Sequence, residues 1–234
     1  NVFELTTVPS GTAGRPSKAL TPQQIDAVVN QTRSDRLHSY VVLSVLTGAR
    51  TEELRALVWD HVHLDTTMVN GITIPPHLEV WRSVRAKGET KTPKSRRTLA
   101  LPALCVEALR SQRAQQNRER IAAGQLWQDT GLVFVSEVGT ALDAANVRRG
   151  FRRALHLVPG IDPAEWTPRE LRHSFVSLLA DAGLSPEDIA PLVGHRSTAV
   201  TELVYRHQVR PVLQRGALVI DQLMGDRIAA SDDR

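Results

Sequence analysis

The nine residues Trp166-Thr167-Pro168-Arg169-Glu170-Leu171-Arg172-His173-Ser174 constrain this chain more than any others. Thr167 with Glu170 three positions on is a capping box, and Pro168 falls at N1, where a missing N–H costs nothing. A helix start is fixed there. Arg169 and Arg172 are three apart, so they share one face near the positive end of that helix, where two cations are unfavourable unless an anion offsets them. Phosphate suits the role, because a planar guanidinium can donate two parallel hydrogen bonds to its oxygens.

Similar punctuation runs along the rest of the chain. Thr21-Pro22 starts a helix of about three turns with Ile25, Val28 and Val29 facing inward. Asp35 is the expected cap of a second helix, whose apolar run Tyr40 to Leu46 stops at Thr47-Gly48, and a short helix follows from Thr51 with Glu52 and Glu53 in its first turn. Between His61 and Pro102 the pattern turns to short β-like runs: Ile72 to Ile74, Leu78 to Val84 and Arg97 to Leu101. These make a small antiparallel sheet with a basic hairpin tip from Arg85 to Arg96. Helices are expected again over roughly 103–122, 143–156, 167–182, 186–193, 198–205 and 212–224, with one strand-like stretch at Leu132 to Ser136. The fold class is α+β, mainly α-helical, with a small antiparallel sheet.

Composition narrows the function classes. With 41% apolar residues, 234 positions can build a real core, so disorder throughout is excluded. No run of 18 apolar residues suggests a membrane span, no secretory signal is evident, and the lone Cys105 offers no disulfide framework, so the cytoplasm is the expected compartment. The net charge of +4 says little, but its clustering says more. Arg82, Arg85, Lys87, Lys91, Lys94, Arg96 and Arg97 face a single Glu89, and a second knot comprises Arg148, Arg149, Arg152 and Arg153. Taken alone, either cluster reads as a solvated face. The Trp residues 59, 81, 127 and 166 read as core or rim packing.

Further polar residues recur in an ordered set. Thr47-Gly48-Ala49-Arg50 puts an Arg at a turn entering a helix, with Glu53 placed to orient it. Leu192-Val193-Gly194-His195 holds a His just past a helix end, because Gly194 can take the left-handed conformation, and Tyr205 follows ten residues on. Singly, each has an ordinary explanation: Arg50 a surface charge, Lys91 a solvated hairpin tip, His195 a C-cap donor, Tyr205 a half-buried ring. Together, from about Lys18 to Met224, the sequence closely resembles the tyrosine recombinase, or phage integrase, family in its catalytic domain.

That resemblance implies the DNA breaking-rejoining fold and a division of labour. Arg50 and Arg172 would clamp the scissile phosphate and His195 would hydrogen-bond it. Tyr205 would attack phosphorus to form a 3′-phosphotyrosine, and Lys91 would protonate the leaving 5′-oxygen, although Lys87 and Lys94 lie in the same loop. Glu53 matches an acidic supporting position. Arg169 departs from the family pattern, which places a His there. A guanidinium cannot accept the tyrosine proton, so the base is open: Arg169 reads as an extra phosphate clamp or as a charge that depresses the Tyr205 pKa, with water or a neighbouring His taking the proton, and His173 beside it reads as a structural residue.

The expected activity is metal- and ATP-independent site-specific recombination with no cofactor, integrating or excising a mobile element. Alternatives are a non-catalytic duplex-DNA-binding module and a relaxing enzyme of the type IB topoisomerase kind. The expected partners are double-stranded DNA attachment sites, three further copies in a homotetramer on DNA, and an excisionase or a host DNA-bending protein. Arg85, Lys87, Lys94, Arg96, Arg148 and Arg149 are the expected DNA contacts. Residues 1–20 read as a linker from a core-binding domain and 21–209 as the catalytic domain. Residues 210–226 read as a C-terminal helix able to pack at home or on a neighbour, and 227–234 as a disordered tail.

Overall fold

A computed structural model describes residues 18–84, 96–194 and 216–224. Helix α2 (His38–Thr47) is the axis of the molecule, with every residue from Ser39 to Thr47 buried. A helix that is apolar on all sides has to be surrounded, and α2 packs against α1 (Pro22–Gln31), α4 (Ala103–Ala123) and α6 (Pro168–Asp181). Tyr40 stands edge-on to Phe134 at 5.1 Å within this core. Burying such a side chain contributes about 1.5–3 kcal/mol.

The helix starts follow the sequence closely. Thr21 caps α1 as predicted, and Gln24 answers it by accepting from the Thr21 N–H at 2.9 Å. Glu170 accepts from the Thr167 N–H at 2.8 Å at the head of α6. Asp143 caps α5 (Ala144–Leu155), and Ser185 caps α7 (Pro186–Val193). Asp35 is an exception: its carboxylate accepts from Leu37 N–H at 2.8 Å in the preceding turn, and α2 starts only at His38. Local Asx bonding competes with helix there and delays the start.

Strands are shorter and more numerous than expected. A three-stranded antiparallel sheet has the order β1 (Val62–His63), β4 (His77–Val80), β5 (Arg97–Ala100), and β2 (Thr67–Val69) pairs with β3 (Ile72–Ile74) in a separate hairpin. Strand β4 stops at Val80, short of Val84. Leu132 to Ser136 makes only isolated bridges, Val58 to Leu132 and Val135 to Ala141, so it is not a strand. Val133 and Phe134 are nonetheless buried, which explains the apolar pattern without a ladder. The basic segment 85–95 and the helix expected over 198–205 lie outside the described residues.

At the other end, α8 (residues 216–224) buries Ile220 and Met224 in the core, and Asp221 accepts from the Ala103 N–H at 2.6 Å, capping α4. Trp166 is core, and Trp59 is rim: its indole donates to Gln116 at 2.6 Å under the Arg113 guanidinium. Among the described residues, no helix is long and apolar enough to cross a membrane.

Candidate active site

Two helix ends meet beside the sheet. Gly48 closes α2 and Gly194 closes α7, both left-handed at φ 62°. Each position disfavours a side chain. A Cβ on Gly48 would lie 2.4 Å from Phe175 of α6, and one on Gly194 would lie 3.2 Å from the Arg97 guanidinium and 3.6 Å from that of Arg50. Helix C-termini carry unpaired carbonyls and partial negative charge, so cations gather at them.

Three arginines do so. Arg172 donates one Nη to the Gly48 carbonyl at 2.6 Å, across 124 residues of chain, and the other to the Val193 carbonyl. Arg50 donates Nη2 to the Gly194 carbonyl at 3.2 Å and Nη1 to Glu53 at 2.8 Å. The Glu53 carboxylate also accepts from the Arg50 backbone N–H at 2.7 Å. Both arginines reach their places because their helices begin beside the turn: Arg50 heads α3 (Thr51–Leu54), and Arg172 lies in the first turns of α6.

The third, Arg97, is the residue that sequence reasoning missed. Counted as one of a solvated basic cluster, it is only 6% exposed. It donates two bonds to Glu53 at 3.0 and 2.9 Å, and its Nε bonds the Leu192 carbonyl at 2.8 Å. A signal was available: with Leu99 and Leu101 facing inward, alternation puts Arg97 on the same inner face of β5. The acid that receives it there, Glu53, had already been singled out for Arg50.

Charge at the cluster is unbalanced. Burial pushes the Glu53 carboxyl up, but the charge and hydrogen bonds of Arg97, with help from Arg50, outweigh it and hold the group at about 2. Burial and then repulsion from Arg50 and Arg97 depress the Arg172 pKa to about 9, with Glu53 opposing. Arg172 therefore keeps its proton at neutral pH, but its charge is held at a cost that an anion would relieve.

The other expected residues fall as follows. Arg169 is exposed on the first turn of α6, and His173 is half-buried one turn further on. Burial, then the Arg169 charge, lowers the His173 pKa, so that imidazole is neutral at pH 7. Arg148 and Arg149 are exposed on α5, with Arg149 bonded to Asn146. Arg96 is half-buried at the edge of β5. Arg85, Lys87, Lys91, Lys94, His195 and Tyr205 lie outside the described residues, although His195 directly follows Gly194 in the chain.

The phage integrase family model matches residues 18–210. The chain belongs to the phage integrase family. An integrase of Streptomyces ambofaciens is 60% identical over 221 residues, 94% of this chain and 57% of that protein. A XerC-like tyrosine recombinase of Caldanaerobacter subterraneus subsp. tengcongensis is 24% identical over 80% of this chain and 49% of its own length. The chain thus spans about half the length of the curated relatives it matches. Among solved structures, the XerA recombinase superposes with a TM-score of 0.59 at 24% identity, covering 90% of this chain and 65% of that one. The Tn1549 transposon integrase, solved with transposon right-end DNA, gives 0.58 at 19% identity over 84% and 64%. This phage integrase family member therefore has the mainly helical fold of a tyrosine recombinase catalytic domain, with small antiparallel sheets.

Proposed function

We propose that this chain is the strand-cutting part of a site-specific DNA recombinase that breaks and rejoins DNA through a 3′-phosphotyrosine bond. The observation that carries the proposal is the convergence of Arg50 and Arg172 on the Gly48 and Gly194 turns, with Arg172 electrostatically strained by its neighbours. A phosphodiester under attack gathers negative charge on its equatorial oxygens. Two guanidiniums held in advance by helix-end carbonyls meet that charge without reorganising, and loss of one such donor costs about 10²–10³ in rate.

In this reading Tyr205 attacks phosphorus, the 5′-oxygen leaves with a proton from Lys91, and His195 hydrogen-bonds the phosphoryl group beside the arginines. General acid help of this kind supplies about 10²–10⁴. The covalent ester keeps the bond energy, so rejoining needs no ATP. In this reading Arg169 acts as an additional phosphate clamp or depresses the Tyr205 pKa through its charge, and water or a neighbouring His takes the proton. Arg85, Lys87, Lys94, Arg96, Arg148 and Arg149 hold the flanking duplex through its phosphates, which position the protein without reading sequence. The enzyme works in the cytoplasm as a tetramer on DNA attachment sites of a mobile element, aided by an excisionase or a DNA-bending protein.

The test is a nicked suicide duplex carrying candidate attachment DNA. A covalent protein–DNA band is expected with the intact protein and none with Tyr205→Phe. Binding without a covalent band would leave only a DNA-holding module, and a band of equal strength on any duplex would indicate a relaxing enzyme.

A further inference from the structure

On the outer face of the small sheet, two imidazoles and a carboxylate come together. In the β1–β4 pair Val62 stands opposite Leu78 and His63 opposite His77. Val62, Leu78 and Val80 are buried, so alternation turns His63, His77 and Glu79 to the other face, away from Arg97, which stands opposite Val80. The two rings stack with centroids 4.4 Å apart, and His63 Nε2 is 3.9 Å from Glu79 Oε1. One donor atom from each of the three lies within 4.8 Å of the other two. We propose that His63, His77 and Glu79 bind a divalent transition-metal ion, best matched by Zn²⁺, and that the ion staples β1 to β4.

The donor set selects the metal. Two imidazoles with one carboxylate suit Zn²⁺ and its neighbours, whereas Mg²⁺ and Ca²⁺ take oxygen donors. The orientation of His77 fits as well. Its Nδ1 is 2.8 Å from the Pro75 carbonyl, which only accepts, so Nδ1 carries the proton and Nε2 keeps the lone pair. Metal-bound histidines are commonly held in this way by a carbonyl behind the ring.

Zn–N bonds of about 2.0–2.1 Å at tetrahedral angles place ligand atoms about 3.3 Å apart. The observed separations close to that by side-chain rotation, for which His63, 43% exposed, has room. Water would complete the coordination. The sheet also lacks what the ion would supply: β1 is two residues long and joins β4 through two register pairs. The role is structural, because the opposite sheet face carries Arg97 and the arginine cluster.

The experiment uses the whole 234-residue chain, stripped with EDTA and dialysed, then titrated with ZnCl₂ by calorimetry and with Co²⁺ by visible absorption. One ion per chain, an intense four-coordinate Co²⁺ band and a Zn²⁺-dependent rise in Tm are expected. His63→Gln and Glu79→Gln should each weaken binding at least about tenfold. Only the six-coordinate aquo-ion spectrum with the unmodified chain would overturn the proposal, whether or not any variant folds. So would undiminished binding by a folded His63→Gln/His77→Gln double variant, since the ion would then sit elsewhere.

Discussion

At Glu53 one carboxylate serves two guanidiniums, and Arg97 has no solvent to fall back on. Breaking a buried pair by neutralising one partner costs about 3–5 kcal/mol, because the other charge is left unmatched. Glu53→Gln should therefore lower the unfolding free energy by about that much in urea titrations. Its pH dependence follows from the depressed pKa. In the unfolded chain the carboxyl titrates near 4.5, and in the fold at about 2. Its contribution is complete above pH 4.5 and disappears as the pH falls toward 2. The unmodified chain should lose stability across that window more steeply than Glu53→Gln, and parallel curves would contradict the ion-pair account. Arg172→Lys tests the clamp. An ammonium cannot span the Gly48 and Val193 carbonyls while facing a phosphate, so covalent complex formation should drop at least about 10²-fold, with the circular dichroism unchanged.

At the level of elements, the crossing of α2 and α6 decides where the arginines stand. Phe175 fills the space beside Gly48, and Arg172, one turn earlier on α6, bonds the Gly48 carbonyl. Gly48→Ala forces a Cβ into the Phe175 ring at a left-handed position, which should cost about 1–3 kcal/mol in thermal or urea unfolding. A Gly48→Ala/Phe175→Leu double variant should regain part of that loss by removing the clash while keeping the strained φ. If the single variant unfolds at the same denaturant midpoint as the parent, the crossing is looser than described. The sheet contributes in a different way: β5 carries Arg97 inward and so ties the sheet to Glu53 of α3 and to the end of α7.

Across the whole molecule, the arginine cluster joins stretches that are distant along the chain, and its positive charges repel one another until an anion arrives. Inorganic phosphate at millimolar concentration should therefore raise Tm. The rise should shrink in high NaCl, which screens and competes, and should be largely lost in Arg50→Gln. An equal rise in Arg50→Gln would place the anion elsewhere. Much of this architecture was legible in the order of residues. Caps such as Thr21 and Thr167 act through bonds a few positions away, so they marked helix starts without any knowledge of the fold. The two stopping glycines were equally plain, as was the identity of Arg50, Glu53 and Arg172 as candidates. Where sequence misled, the deciding contacts were remote or competing. Asp35 bonded within its own turn, and Leu132 to Ser136 was buried without a partner strand. Arg97 looked like one more surface charge until folding set Glu53 and the end of α7 against it. Local hydrogen bonding determined the helices from the sequence alone. Only tertiary packing chose which cations lost their water, because desolvation depends on what arrives from elsewhere in the chain.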